Sequence, residues 1–349
     1  MQKIMFTRNG KEIAKKEYLI IGLLFLFLFF TILASVMLGR YFISIQDIIQ
    51  TFLAKVKGVI PDYLKQYDTI IFQVRLPRIF TALFIGSALS ISGASYQSMF
   101  RNPMVSPDIL GVSAGASFGA ALGIILNTSY LGIQILAFIF GLFAVSITYL
   151  ISASAGKNKE QIVVLVLSGL IIRTVFQAFL SIIKYLADPQ DALPEITFWL
   201  MGSISAVTAR DMFIIGIPSI IGSVLLLRYG WKLNVMSFGD EEAAAMGIDT
   251  TSIRHRVIFI STIIVCISIS VCGTIGWVGL IIPHFARMLV GPDNKILLPV
   301  SAFLGGCYLL IMDDIARNMM QLEIPISILT SILGAPFFVF LLIRSRRCW

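Results

Sequence analysis

Charged residues are scarce in this sequence, and the patterns of common catalytic sites are missing from it. Asp, Glu, Lys and Arg make up 13% of the 349 residues, which is about half of the share in a typical soluble domain. The sequence has no HExxH pattern, no phosphate-binding Walker loop and no recognisable pair of nucleophile and base. These absences argue against a water-soluble enzyme, and we predict no catalytic residue in the chain.

Cysteine and histidine are also sparse. The chain contains Cys266, Cys272, Cys307 and Cys348, together with His255 and His284. The cysteines form no CxxC pair and no Cys/His cluster, and the histidines are far apart in sequence. Three of the cysteines lie inside apolar runs, where small buried thiols are ordinary. We therefore predict no disulfide and no bound metal.

Long apolar runs take the place of the missing polar surface. Hydrophobic residues account for 57% of the chain, and runs of about twenty residues recur, each long enough to cross a hydrocarbon core of about 30 Å. The runs are continuous rather than alternating with a period of two, which favours helices over a barrel. The sequence therefore predicts an all-α polytopic membrane protein with about ten transmembrane helices. The predicted spans are 18–39, 77–99, 111–126, 131–153, 161–186, 211–228, 255–273, 276–291, 297–316 and 326–343.

One transmembrane domain, residues 18–343, is expected between two short tails, residues 1–17 and 344–349, with membrane lipids around it. The first run follows a basic tail, as in a signal peptide, but it is longer than a typical signal core and many spans follow it. The net charge is +8, yet the basic residues form no stripe with interleaved aromatics, so we predict no nucleic-acid partner. About seventeen of the 27 basic residues fall on the side of both tails, which predicts cytoplasmic termini.

The cytoplasmic connection 229–254 contains a helix signal. Asp240–Glu242 are acidic residues suited to the positive end of a helix dipole, alanines follow them, and Gly247 is placed to end the helix. Phe238 and Met246 add an apolar component. We interpret the segment as a short surface helix that docks a soluble partner through apolar anchors within a polar rim. The alternative is a structured loop that only joins two spans.

Arginines mark the opposite side of the predicted bundle. Arg75 and Arg78 stand at the start of one span, and Arg317 lies at the end of another. Such side chains often snorkel at a membrane interface without a further role. The functional alternative is a set of outward cations that captures carboxylates of an external partner by charge-assisted, often bidentate hydrogen bonds.

Prolines and an intramembrane arginine indicate irregular structure inside the bundle. In residues 101–108, Ser106 or Asp108 is placed to cap a short helix; the alternative is a plain turn between two spans. Arg173, with Gln177 one turn further on, lies within a span, where a charge costs about 2.5–3.5 kcal/mol on insertion and should face protein or water. The residues that we place along a path or in the bundle interior are Asn102, Pro103, Arg173 and Gln177.

Separated motifs run through most of the chain. They are Arg75-Leu76-Pro77-Arg78, Gly93-Ala94, Asn102-Pro103 with Pro107, Leu110-Gly111-Val112, Phe238-Gly239 through Ala243 to Met246-Gly247, Gly273 through Pro283-His284, and Leu333-Gly334-Ala335-Pro336. In this order they resemble the FecCD permease family, the membrane subunits of ATP-binding-cassette (ABC) importers for iron–siderophores, haem and cobalamin. The resemblance covers nearly the whole chain from about residue 70. Met246 departs from the family, which more often has Leu there, but the exchange preserves volume.

The resemblance implies a type II ABC importer permease in the cytoplasmic membrane, working as a homodimer or as a dimer with a paralogous permease. It also implies two cytoplasmic ATPase subunits, which would bind ATP and Mg, so the chain itself is expected to hold no cofactor. An extracytoplasmic substrate-binding protein would dock through Arg75, Arg78 and Arg317. The implied ATPase-coupling residues are Phe238, Gly239, Asp240, Glu241, Glu242, Ala243, Met246 and Gly247.

An alternating-access importer for an iron–siderophore is the function that the resemblance favours, with haem and cobalamin as alternatives. Two other classes of function stay open. An ion-coupled secondary transporter needs carboxylates at mid-membrane depth, and the only paired carboxylates near a span, Asp313 and Asp314, lie close to its end. A membrane-embedded enzyme acting on a lipid would use the same pair as metal ligands.

Overall fold

The computed structural model describes residues 2–39, 41–155 and 161–345, without the side chains of residues 2–18, 21, 155, 161, 341, 342, 344 and 345. All regular elements in these ranges are helical. The α-helices are α1 (Gln2–Met37), α2 (Ile45–Lys57), α3 (Lys65–Asp68), α4 (Leu76–Met99), α5 (Val112–Ile125), α6 (Tyr130–Ala155), α7 (Gln161–Leu186), α8 (Ala192–Met201), α9 (Ala209–Leu227), α10 (Gly230–Met236), α11 (Asp240–Ala245), α12 (Thr250–Cys272), α13 (Val278–Val290), α14 (Asn294–Asn318) and α15 (Ile326–Ser345). Two 3₁₀ turns, Asp62–Leu64 and Pro107–Leu110, and a π-helix, Thr69–Arg75, join them.

The helices confirm the all-α polytopic fold class. Among the described residues, six helical stretches are long and apolar enough to cross a membrane. Four shorter apolar helices add to them, and each of the predicted spans corresponds to one of these ten segments. The shorter helices are Gly22–Met37, Val112–Ile125, Val278–Val290 and Ile326–Phe340.

The predicted tails are only partly visible. The backbone of the N-terminal tail continues α1 as a helix from Gln2. Several residues used in the topology and cysteine predictions lie outside the described residues, so the side on which the tails lie stays a prediction. They are Met1, Arg40, Lys157, Lys159, Arg346, Arg347 and Cys348.

α4 forms the centre of the bundle, because glycines let neighbouring helices approach it closely. In the most apolar window of its span, 83% of the residues are buried. A Cβ atom added at Gly86 would overlap the Gly305 carbonyl oxygen of α14, and one added at Gly93 would overlap the Gly279 carbonyl oxygen of α13. Lipid gives no hydrophobic drive between helices, so this close backbone approach supplies the van der Waals contact that holds them together.

α2 and α8 are helices that the predicted spans do not include. Ser44 accepts the Asp47 backbone N–H at 3.2 Å and caps the start of α2, which ends at Gly58 in the left-handed region (φ 72°). After α8, the Gly202 carbonyl oxygen accepts the Ile326 N–H at 3.1 Å and so ties α8 to the start of α15. The two helices have 13 and 10 residues, whereas a span needs about 20. A search for long apolar runs therefore passes over both.

The bundle has two ends with different chemistry. Ser98 Oγ donates to Asn294 Oδ1 at 2.6 Å, where α4 ends and α14 begins. Because Asn234 of α10 also contacts Asn294, α10 and α11 lie at this end, which we call the α11 end. Arg78 at the start of α4 meets Asp313 near the end of α14, and we call this opposite end the Arg78 end.

Candidate functional sites at the two ends and inside the bundle

The short helix expected in the 229–254 connection is α11, Asp240–Ala245. Its three acidic residues occupy the first turn, where the helix dipole favours negative charge. Gly239 before it (φ 134°) and Gly247 after it (φ 79°) adopt backbone conformations that other residues rarely take. The Gly247 N–H donates to the Ala244 carbonyl oxygen at 2.9 Å, which ends the helix at a left-handed glycine.

α11 is fixed to the bundle on one side and open on the other. Asp240 accepts two hydrogen bonds from Nη2 of the buried Arg254 of α12, at 3.0 and 3.2 Å. Ala243 is fully buried, whereas Phe238 and Met246 are 68% and 58% exposed. Two large exposed apolar side chains that flank a fixed helix suit a docking surface, because burial against a partner would remove their apolar area from water.

Asparagine side chains lock α10 to the start of α14. Asn234 Oδ1 accepts the backbone N–H and the Nδ2 of Asn294, both at 2.8 Å. Asn234 Nδ2 donates to Asp293 at 2.6 Å, and Asn294 accepts from Ser98 of α4 at 2.6 Å. Short hydrogen bonds therefore join α10 to α14 and α4. The sequence gives no local signal for this network, because the asparagines are 60 positions apart.

Arg78 lies within a cluster of carboxylates. Its Nε donates to Asp313 at 2.8 and 3.1 Å and its Nη2 at 2.8 Å, while Nη1 and Nη2 donate to Glu323 at 3.0 and 2.9 Å. The side chains of Arg78, Asp313 and Glu323 are 9%, 1% and 30% exposed. The guanidinium of Arg78 is thus paired with one buried carboxylate, Asp313, and one partly exposed carboxylate, Glu323. The contact with Glu323 also links the segment before α15 to α4.

Arg75 and Arg317 are buried in the same region. Arg317 forms an ion pair with Asp314 and donates to the Ser35 carbonyl oxygen at 2.7 Å. Arg75 donates to the backbone carbonyl oxygens of Val36, Met37 and Tyr41. The expectation that Arg75, Arg78 and Arg317 stand as outward cations therefore needs correction, since they are only 4%, 8% and 7% exposed. Their N–H groups donate instead to carboxylates of α14 and the segment after it, and to backbone carbonyl oxygens at and just after the end of α1. Their role in docking stays a prediction.

Asp313 and Asp314 form ion pairs with Arg78 and Arg317. Asp313 is fully buried against Arg78, and Asp314 pairs with Arg317 and accepts a hydrogen bond from Ser35 Oγ at 2.7 Å. Over residues 2–345, outside the two gaps, no group of three or more His, Cys, Asp or Glu side chains could hold a metal ion. The secondary-transporter and lipid-enzyme interpretations lose the free carboxylate pair on which they depended.

Two broken stretches of helix meet inside the bundle. α4 and α5 are separated by the 3₁₀ turn Pro107–Leu110 and by Gly111 in the left-handed region (φ 86°). α12 and α13 are separated by residues 273–277, where Trp277 also has a positive φ of 70°. A Cβ atom at Gly279, in the first turn of α13, would lie 3.1 Å from the ring of Pro107, so the first break packs against the helix that follows the second. Irregular backbone at this depth is tolerated where it packs in protein or lines a cavity.

Asp108 links the first break to the mid-span arginine. Its Oδ1 accepts the Ser113 N–H at 3.1 Å and so caps α5, whereas Ser106 makes no side-chain cap on the 3₁₀ turn. Its Oδ2 lies 3.5 Å from Arg173 Nη1. Arg173 therefore faces protein with a counter-charge beside it, as the cost of a charge in a span requires.

A cavity of about 550 Å³ lies beside Arg173 and Asp108. Arg173 and Gln177 of α7 line it, together with both helix breaks and the starts of α5 and α15. Asn102 and Pro103 are not among the lining residues; Asn102 is exposed, and its Oδ1 accepts the Met104 N–H at 2.9 Å. The serines of the wall were not predicted from the sequence, because isolated serines in apolar spans are common. The serines are Ser106, Ser113, Ser117, Ser327 and Ser331.

Comparison with known proteins links this geometry to one family. The model of the FecCD transport family matches residues 26–344. The molybdate import system permease protein MolB of Haemophilus influenzae is 40% identical, over 92% of this chain and 94% of the relative. A Helicobacter pylori permease protein named for iron chelatin transport is 38% identical, over 81% of this chain and 85% of the relative.

A solved structure shares the whole fold. An ABC transporter named as metal-chelate type, in an inward-facing conformation, superposes with a TM-score of 0.84 at 38% identity. The match covers 93% of this chain and 99% of that chain. The likeness extends over the chain as a whole, so the overall helical fold is that of the ABC transporter.

Proposed function

The chain belongs to the FecCD transport family, and from this membership we propose that it is the permease subunit of a binding-protein-dependent ABC importer. The permease forms the path through the membrane, while ATP and Mg bind to two cytoplasmic ATPase subunits. An extracytoplasmic binding protein delivers the substrate. The chain catalyses no reaction itself; it alternates between packed states that open the path to one side at a time.

The observation that carries the proposal is α11 with its exposed anchors. Phe238 and Met246 are exposed on either side of α11, which the pair of Arg254 and Asp240 holds against α12. An ATPase subunit that buries both side chains would move α11 as a rigid unit. The ion pair would pass this motion to α12, and the asparagine network beside it would pass it to α14 and α4.

The orientation and assembly follow from the same proposal. The α11 end faces the cytoplasm together with both termini, as the distribution of Lys and Arg favours. In the most apolar windows of α6, α7 and α9, only 33%, 28% and 33% of the residues are buried. These apolar surfaces need lipid or another chain to cover them, which supports a homodimer or a dimer with a paralogous permease in the cytoplasmic membrane.

The Arg78 end is the proposed contact for the binding protein. Because Asp313 is almost fully buried and Glu323 is the exposed member of the cluster, a carboxylate of the binding protein would reach Arg78 by displacing Glu323. Docking would then also release the connection before α15. Arg75 and Arg317 would support this surface by holding the ends of α1 and α14 in place.

The proposed cargo is a metal compound. The relatives are named for molybdate and for iron chelatin, and the structural neighbour is named as metal-chelate type. An iron–siderophore complex is the first candidate, and molybdate, haem and cobalamin are the alternatives that a transport assay separates.

The test is reconstitution of the permease with its ATPase and binding protein in lipid nanodiscs. We expect ATP hydrolysis to rise when the loaded binding protein is added, and Phe238→Ser with Met246→Ser to remove this stimulation. Val59→Ser, at an exposed apolar residue far from α11 in sequence, is the matched control. An unchanged stimulation in the double variant would overturn the coupling role of α11.

A further inference from the structure

The cavity beside Arg173 combines features that attract anions. We propose that it is a transient binding site for the anionic oxygens of the cargo, either a free oxyanion or an anionic metal chelate, with Arg173 as its charged contact. This inference rests on the proposed transport function and names the chemical class of the substrate. The cavity volume of about 550 Å³ lies within the range of about 300–1,000 Å³ typical of ligand pockets.

Arg173 keeps most of its hydrogen-bonding capacity free. Its one ion-pair contact within the described residues is with Asp108 at 3.5 Å, which is longer than a strong charge-assisted hydrogen bond of about 2.7–2.9 Å. Asp108 also accepts the Ser113 N–H, so its charge is shared with the start of α5. A guanidinium has five N–H donors, and the side chain, which lines the cavity, is 46% exposed.

Three helices begin at the cavity wall. α5, α13 and α15 contribute Ser113, Gly279 and Ser327 from their first turns. Each helix has 13 or more residues, and its N-terminus carries a partial positive charge of about +0.5. Half-helices that point their positive ends at an anionic substrate are a recurring device in membrane transporters.

An unpartnered buried hydroxyl points to a ligand independently of these charges. Ser117 of α5 lines the cavity and is only 5% exposed. Within the described part of the chain its hydroxyl makes no hydrogen bond, and neither do the hydroxyls of Ser327 and Ser331 or the amide of Gln177 in the same wall. Polar groups of buried residues are normally satisfied, and of these four residues only Ser117 is buried. Its free hydroxyl at the cavity wall is therefore available to cargo.

The donors outweigh the acceptors in this wall. Asp108 is its one carboxylate, and it already lies beside Arg173 and caps α5. The guanidinium, the free hydroxyls and the first turns of three helices line the same cavity. A neutral macrocycle would leave most of these donors unpaired, at a cost in free energy for each. Anionic oxygens would pair with them, and their charge would be offset by Arg173.

The experiment measures ATP-driven uptake by the complete transporter in proteoliposomes, with its binding protein supplied. The probes are molybdate, the anionic chelate ferric citrate and a neutral ferric hydroxamate. We expect Arg173→Gln to lower uptake of whichever anionic probe the wild type carries by about 10- to 100-fold, the range for losing a hydrogen bond to a charged group. Arg173→Lys keeps the charge and should retain more uptake, and Ser117→Ala should give a smaller loss.

Lys184→Gln is the matched control, since Lys184 lies on the same helix and is not among the cavity-lining residues; its uptake should equal that of the wild type. ATP hydrolysis stimulated by the binding protein should persist in Arg173→Gln, which shows that the complex is folded and coupled. The proposal of an anion site would be overturned if the wild-type transporter took up only the neutral probe. It would also be overturned if Arg173→Gln and Lys184→Gln changed the uptake of the anionic probe to the same extent. Failure of the proposed function is a different result, in which the wild type carries no probe with ATP.

Discussion

Replacing Asp313 with asparagine removes the buried carboxylate that holds Arg78. Asp313 takes three of the five short contacts of the guanidinium, at 2.8–3.1 Å, and its side chain is 1% exposed. Breaking a buried ion pair by removing one partner costs about 3–5 kcal/mol, because the other charge is left uncompensated. Glu323 takes the other two contacts but is 30% exposed, so Glu323→Gln should cost only about 1 kcal/mol, the upper range for exposed pairs.

The assay is the free energy of unfolding of the purified permease, measured by tryptophan fluorescence in mixed micelles with increasing dodecyl sulfate. We expect Asp313→Asn to lose several times more stability than Glu323→Gln, and only the Glu323→Gln loss to shrink at high salt. Asp62→Asn, at a 94% exposed side chain paired with Lys65, is the control and should unfold like the wild type. Equal losses in the two cluster variants, or none in either, would refute the buried clamp. Arg78 would then be available as a free docking cation.

Three further predictions follow from the packing, the coupling helix and the cavity. Gly305→Ala should lower the free energy of unfolding by about 1–3 kcal/mol through overpacking, because its Cβ atom would overlap the Gly86 carbonyl oxygen; Gly22→Ala, with no atom within 4 Å, should cause no loss in the same unfolding assay. Glu241→Lys with Glu242→Lys should abolish transport-coupled ATP hydrolysis, since the positive charges oppose the dipole of α11; unchanged coupling would contradict the docking role. Asp108→Asn should lower the half-saturating molybdate concentration for uptake about two- to five-fold by freeing Arg173, provided that molybdate is carried, and a rise would contradict the anion site.

The features that the sequence predicted well are local. Each span is one apolar run whose length can be compared with the membrane, so the ten spans follow from the chain alone. α11 is equally local, because its acidic first turn, its alanines and Gly247 lie within eight positions. Each of these residues acts on its own helix, and no distant partner decides the outcome.

The features that the sequence could not predict depend on distant partners. Arg78 and Asp313 are 235 positions apart, so nothing near Arg78 indicates that its charge is already neutralised. The same holds for Arg317, whose contact with the Ser35 carbonyl joins α14 to α1. The cavity is built from both helix breaks and α7, and its serines acquire meaning only when these segments meet. α2 and α8 were missed because they are helices too short to span a membrane.

The central claim is that this chain is the permease of an ATP-driven importer. The most direct measurement is uptake of ⁵⁵Fe-siderophore and ⁹⁹Mo-molybdate into proteoliposomes that contain the permease, its ATPase and the external binding protein. We predict that one of these probes accumulates only when ATP and Mg are present on the ATPase side and the binding protein is present on the other. Accumulation that needs an ion gradient and no nucleotide would contradict the account.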